Sequence, residues 1–138
     1  MARALERLTK RAEFLRAAKG VKWVAPAFVL QACRADASAA SRVGFTASRK
    51  VGNAVTRNRA KRRLREIARV ALAERARPAH DYVLIARSSA TTESFDKLLD
   101  DLGRAVHMVH KRLDARAVAA TPAGAPSVNN ANGTADAS

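Results

Sequence analysis

RVGFTASRKVGNAVTRNRAKRRLRE, residues 42–66, reads as a strand, a turn and most of a helix, and that succession decides the fold. Val43, Phe45 and Ala47 alternate with Arg42, Gly44, Thr46 and Ser48, which is the period of a half-buried strand. Gly52 and Asn53 break the alternation, and Asn53 or Thr56 then caps a helix. In that helix Ala60, Leu64, Ile67, Ala68 and Ala71 form one apolar stripe. It is expected to run to about Arg75, before Pro78 stops it. Six of the 26 basic residues fall in the nine positions Arg57–Arg65, with no acidic residue among them. Arg62, Arg65 and Arg69 lie opposite the apolar stripe with Asn58 beside them, while Arg57, Arg59, Lys61 and Arg63 fan along its flanks. A polyanion lying across this helix touches most of them.

Upstream, TKRAEFLRAAK (residues 9–19) has the pattern of a short helix with Thr9 as N-cap and Gly20 closing it. Val21–Arg34 is rich in β-formers, and Pro26 makes it one bent strand or two short ones. A polar turn at 36–41 then leads into the strand of residues 42–48, which is expected to pair with its predecessor as a hairpin. Downstream, DYVLIARS (residues 81–88) is nearly continuous in apolar character, as befits a central strand covered on both faces. Phe95, Leu98, Leu99, Leu102 and Val106 mark a last helix from Ser94 to about Leu113. The order α-β-β-β-α-β-α predicts a small α+β (α/β sandwich) domain over residues 1–116, its one sheet packed by helices. Residues 117–138, made mostly of Ala, Asn, Gly, Pro, Ser and Thr with scarcely a charge, are expected to form a disordered tail.

Charge narrows the choice of partner. The chain has 138 residues and a formal net charge of +14, from 26 basic against 12 acidic residues. Between Arg42 and Arg77, twelve basic residues face two acidic ones, whereas ordinary surfaces intersperse both signs. Self-repulsion on that scale calls for a polyanionic partner, and anions such as sulfate or phosphate are expected to stabilise the free protein. Nucleic acid fits, since no apolar run approaches the roughly 20 residues of a membrane span. The N-terminal MARALERLTKRAEF lacks a secretory apolar stretch, so a cytoplasmic location is expected. Aromatics make up only 4%, which points to a modest core and a function carried by the surface.

No protein-borne catalytic or metal constellation emerges. Cys33, the single cysteine, reads as a buried structural thiol. His107 and His110 read as solvated side chains near a helix end, and His80 as loop polarity. Asp96, Asp100 and Asp101 suit the solvated start of a helix. The glycine spacing matches neither a phosphate loop nor a dinucleotide fingerprint. Phe14 has two readings: the core anchor of its short helix, or a ring at the lip of a groove flanked by Lys10, Arg11 and Lys22, on which a base stacks. Phe28 or Phe45 is expected to line the same groove, since strand alternation admits only one face.

The segment of residues 42–66, a strand ending in SRK followed by VGNAV and RNRAKR, resembles the protein subunit of bacterial ribonuclease P. LTKRAEF upstream, DYVLIAR downstream and the amphipathic last helix agree in order, so the resemblance covers about residues 5–113. It implies a left-handed β-α-β crossover, contrary to the usual hand. It also implies a noncatalytic subunit of an endonuclease that removes the 5′ leader of precursor tRNA, with the chemistry and its Mg2+ carried by the RNA subunit. By the same resemblance Arg57, Asn58, Arg59, Lys61, Arg62 and Arg65 are expected to contact the catalytic RNA and the nearby leader, joined by the pair Arg49 and Lys50. Arg69 extends that face, and Phe14, with Lys10, Arg11 and Phe45, is assigned to a cleft for the leader. Ala18 and Gln31 stand where many relatives carry aromatic residues, which implies weaker stacking. The competing class is a structural RNA-binding protein such as a ribosomal component.

Overall fold

A computed structural model describes residues 5–35 and 40–120. In chain order it runs β1 (Glu6–Arg7), α1 (Arg11–Ala18), β2 (Val21–Val24), β3 (Phe28–Arg34), β4 (Arg42–Ala47), α2 (Ala54–Ile67), β5 (His80–Ala86) and α3 (Phe95–Ala120). Short 3-10 turns lie at Arg49–Val51 and Ser88–Thr91. The strands form one sheet in the order β1-β4-β5-β3-β2. The fold is mixed α+β as expected, with the two-residue β1 added ahead of the first helix.

Side-chain alternation sorts the core into two layers. Phe28, Leu30, Tyr82 and Leu84 point to the face covered by α2 and α3, where they meet Leu64, Ile67, Leu98 and Leu102. On the other face Leu8, Ala17, Cys33 and Val83 pack beneath α1, with half-buried Phe14 and Ile85 beside them. Apolar on both sides, β5 takes the central place that its composition foretells.

Pairing departs from expectation at β4. The segment Val21–Arg34 is a true antiparallel hairpin of β2 and β3, but β4 does not extend it. Instead β5 inserts between β3 and β4, antiparallel to the first and parallel to the second. Alternation reports which residues share a face and nothing about which edge a strand joins. The two-sided apolar strand wins the centre because it alone needs cover on both faces. The parallel neighbours β4 and β5 are thus joined by α2 as a β-α-β unit.

The helix ends also differ in detail. The N-cap of α1 is Lys10 rather than Thr9. The Glu13 carboxylate turns back to accept the backbone N–H of Lys10 and of Thr9, at 3.1 and 3.3 Å. At α2, Asn53 is the cap, its Oδ1 accepting the Thr56 N–H at 2.9 Å. Helix α3 continues to Ala120, past the end expected at about Leu113. Its last turns are held by contacts that periodicity does not report: Arg112 stacks on Trp23 at 5.1 Å, and the Arg116 guanidinium donates to the Lys19 carbonyl at 3.3 Å. The remainder of the expected tail, 121–138, lies outside the described residues, as does most of the turn expected at 36–41.

Candidate nucleic-acid interface

Helix α2 and the π-type turn Ala68–Leu72 that continues it bury the expected stripe of Ala60, Leu64, Ile67, Ala68 and Ala71 against the sheet and α3. Its start is fixed by backbone chemistry. Gly52 has φ +144, and a Cβ there would come within 3.0 Å of the Thr56 side chain, so only glycine turns the chain into the Asn53 cap without strain. Just before it, the 3-10 turn holds Arg49 and Lys50 in solvent beside the start of α2.

The basic residues divide into those with internal duties and those without. The Arg57 guanidinium donates to the Gly52 carbonyl at 2.9 Å, and that of Arg63 to the Ala90 carbonyl at 2.8 Å. Arg69 pairs with Glu66, and Arg65 lies 5.9 Å from the centre of the Phe45 ring. Arg49, Lys50, Arg59, Lys61 and Arg62 have no acidic partner among the described residues, and Asn58 stands exposed among them. These side chains form a row of donors without local neutralisation, and guanidinium forks suit phosphate oxygens.

Three arginines of the same stretch leave that surface. Arg42 is nearly buried: it bridges both oxygens of Asp81 at 2.8 Å and reaches Glu13 at 2.8 Å. Arg77 pairs with Asp114, and Arg75 donates to the Ala71 carbonyl at 2.9 Å. Donating to the Asp81 carboxylate holds the Arg42 guanidinium further into its charged range. The Lys10 N–H, above all, with Thr9 and Arg42, keeps the Glu13 carboxyl below the usual range. This Glu13–Arg42–Asp81 unit ties the start of α1 to the register pair Arg42 and Asp81 of the two parallel strands. Sequence reading had placed these residues in three unrelated segments.

The four residues assigned to one cleft do not share a surface. Phe14 lies over β4 on the α1 side, so close that a Cβ on Gly44 would sit 2.5 Å from its ring. Lys10 and Arg11 are exposed at the start of the same helix. Phe45, the residue after Gly44, projects to the opposite face, toward α2 and Arg65, and Phe28 is wholly buried in the larger core. This correction follows from the strand period of two. The positions that share the Phe14 side are set by register: Gly44, Val83 and Gln31 in one row, Thr46, Ile85 and Val29 in the next. Thr46, Ile85, Val29 and Gln31 are half-buried. Sequence reading missed the first three because their common face exists only once β5 lies between β3 and β4. Phe14, half-buried over this floor, is both an anchor of the smaller core and a ring at its open margin.

Among the remaining candidates, Cys33 is buried beneath α1, and burial pushes its thiol up from the ordinary range. His107 is exposed, but His110 is not solvated as expected. The Tyr82 hydroxyl accepts the Arg77 N–H at 2.9 Å and shares a hydrogen bond with His110 Nε2 at 2.7 Å. Burial, then the nearby Arg77 charge, lowers the His110 pKa to about 4. Among the described residues no group of three His, Cys, Asp or Glu side chains stands close enough to hold a metal ion. No helix among them is long and apolar enough to cross a membrane.

A five-stranded sheet, one helix on its first face and two on its second, and a basic helix buried along only one stripe define a class of small basic α+β proteins. Residues 2–110 match the family model described as Ribonuclease P. The ribonuclease P protein component of Ruegeria pomeroyi is 55% identical over 106 residues, spanning 75% of this chain and 85% of that protein. That of Caulobacter vibrioides is 50% identical over 110 residues, 79% of this chain and 74% of the relative. Among solved structures, the RNase P protein of Staphylococcus aureus superposes with a TM-score of 0.63 at 30% identity, covering 76% of this chain and 95% of that one. The Thermotoga maritima RNase P protein gives 0.60 at 27% identity, covering 77% and 96%. The chain belongs to the ribonuclease P protein family.

Proposed function

We propose that this chain is the noncatalytic protein subunit of ribonuclease P, acting in the cytoplasm. It docks on the catalytic RNA through α2 and binds the 5′ leader of precursor tRNA along the Phe14 side of the sheet. The observation that carries the reading is the row of exposed Arg49, Lys50, Arg59 and Arg62 with half-buried Lys61 among them, all without acidic partners among the described residues. Phosphate oxygens complete these side chains at little ordering cost, because α2 is already fixed by its buried stripe. Asn58, Arg57 and Arg65 flank the row, and Arg69 extends it once released from Glu66.

On the other side of β4, Phe14 offers a half-exposed ring and Lys10 and Arg11 offer charge. Thr46, Ile85 and Val29 form a shallow floor along which a single strand lies extended. Stacking on one aromatic is worth about 1 to 3 kcal/mol, so Phe14 contributes to leader affinity without setting it alone. Leader removal is carried out by the RNA partner, with Mg2+ held by RNA and substrate. The protein's part is to bring phosphate-rich strands together by neutralising their charge.

Reconstitution tests the proposal. Added to its cognate ribonuclease P RNA at low magnesium, the protein should stimulate cleavage of precursor tRNA, and Arg59→Ala with Arg62→Ala should abolish most of that stimulation. Phe14→Ala should weaken chiefly those substrates with long leaders. Wild-type protein that gives no stimulation overturns the proposal.

A further inference from the structure

A cavity of about 280 Å³ opens on the α2 side of the sheet, away from Phe14. Its apolar walls are Leu5, Val43, Phe45, Ala68 and Ala73, and three arginines, Arg7, Arg65 and Arg69, complete its lining. Among the described residues no acidic side chain lines it. We infer that this cavity is a binding site for one unpaired nucleotide of an RNA strand, with the base against Phe45 and the phosphate on Arg7 and Arg69.

Three separate features meet here. The first is shape: the volume sits at the small end of ligand pockets, suited to a single ring system rather than a paired or helical element. The second is chemistry. An aromatic floor beside guanidinium groups matches a ligand that is flat and π-rich at one end and anionic at the other, which an aliphatic lipid chain is not. Arg65 stands 5.9 Å from the Phe45 ring centre, near the outer limit of a cation–π contact, so it covers the ring loosely and gives way to a base.

The third feature is the backbone. After Ile67 the helix widens into a π-type turn, Ala68–Leu72, with the Ala73 N–H donating to the Ala68 carbonyl at 3.0 Å. Such a turn interrupts the regular ladder and is often retained where a helix serves a site. Here it brings Ala68, Arg69 and Ala73 to the same cavity wall. Arg69, whose one acidic partner among the described residues is the exposed Glu66, can exchange that carboxylate for a phosphate. The cavity also adjoins the row of exposed basic residues on α2, so a strand docked there delivers a nucleotide to it. The inference rests on the RNA-binding reading only for the source of the nucleotide.

The test uses the free full-length protein, by NMR titration with AMP, adenosine, inorganic phosphate and a short oligouridylate. AMP should give saturable shifts at Leu5, Val43, Phe45 and Ala73, adenosine and phosphate should each bind at least tenfold more weakly, and the oligouridylate should move the same signals. Phe45→Leu, which keeps the apolar contact but removes the stacking face, should weaken AMP about tenfold. Arg65→Gln with Arg69→Gln, both at exposed positions, should do so without unfolding the chain. Shifts centred on Phe14 instead, equal binding of AMP and phosphate, or an oligouridylate that leaves these signals unmoved would each overturn the inference. Because no catalytic RNA is present, failure here leaves the reconstitution result standing, and failure of reconstitution leaves this titration standing.

Discussion

Gly44 leaves the space that Phe14 fills. A methyl group there would lie 2.5 Å from the ring, closer than any relaxed contact allows. Gly44→Ala should therefore push Phe14 outward and cost about 1 to 3 kcal/mol, read as a lower denaturant midpoint with an unchanged slope. The leader cleft should suffer with it, since the same ring is its margin. Asp81 presents the opposite case, a charge removed wholly from water and sustained by two bonds from Arg42. Asp81→Asn leaves the Arg42 guanidinium short of a counter-charge at a nearly buried position. A loss of about 3 kcal/mol is expected by equilibrium unfolding. An unchanged midpoint would show that Glu13 alone suffices to hold Arg42. Neither residue stands out in the sequence, because a glycine in a strand and an aspartate before one are both ordinary until their neighbours are known.

At the scale of elements, the legible features were those written in a local period. The stripe of α2, its Asn53 cap and the two-sided strand β5 all follow from spacing and turn chemistry. The place of β4 beside β5 did not, since pairing depends on which edges remain open once the most apolar strand is buried. The junction of α3 with β5 was equally hidden. His110 on α3 shares a hydrogen bond with Tyr82 on β5 and faces Arg77, His80, Asp114 and His107. Its pKa of about 4 lies below the ordinary value of 6.5, so the unfolded chain takes up a proton that the folded chain refuses. Stability from this group is complete above pH 6.5 and is lost as pH falls toward 4. The loss should be on the order of 1 kcal/mol, because the ring is only half-buried and solvent screens it. Thermal melts between pH 7 and 4.5 should show it, and His110→Gln, which can still hydrogen-bond Tyr82 but does not titrate, should flatten that part of the profile.

For the whole molecule, the net charge of +14 governs behaviour in solution. Part of the positive charge is paired within the protein, at Arg42, Arg77 and Arg69, and the densest cluster of the rest lies at α2 and the turn before it. Saturating sulfate should raise the melting temperature by about 5 °C, corresponding to roughly 1 kcal/mol of linked binding. A melting temperature indifferent to sulfate would mean that the free fold does not concentrate its charge. If about six phosphates are neutralised on RNA, log affinity should fall with log salt at a slope of roughly −4 to −5. By itself the sequence determined the elements, the basic helix with its one buried stripe, the family motif and the surplus of positive charge, because each is a property of neighbours along the chain. Only the tertiary structure decided that Phe14 and Phe45 serve opposite faces, that β5 divides β3 from β4, and that Arg42 is structural while Arg59 and Arg62 are exposed. Those outcomes depend on which distant residues fill the space around each side chain, and that competition for burial and for counter-charge is settled only when the sheet closes.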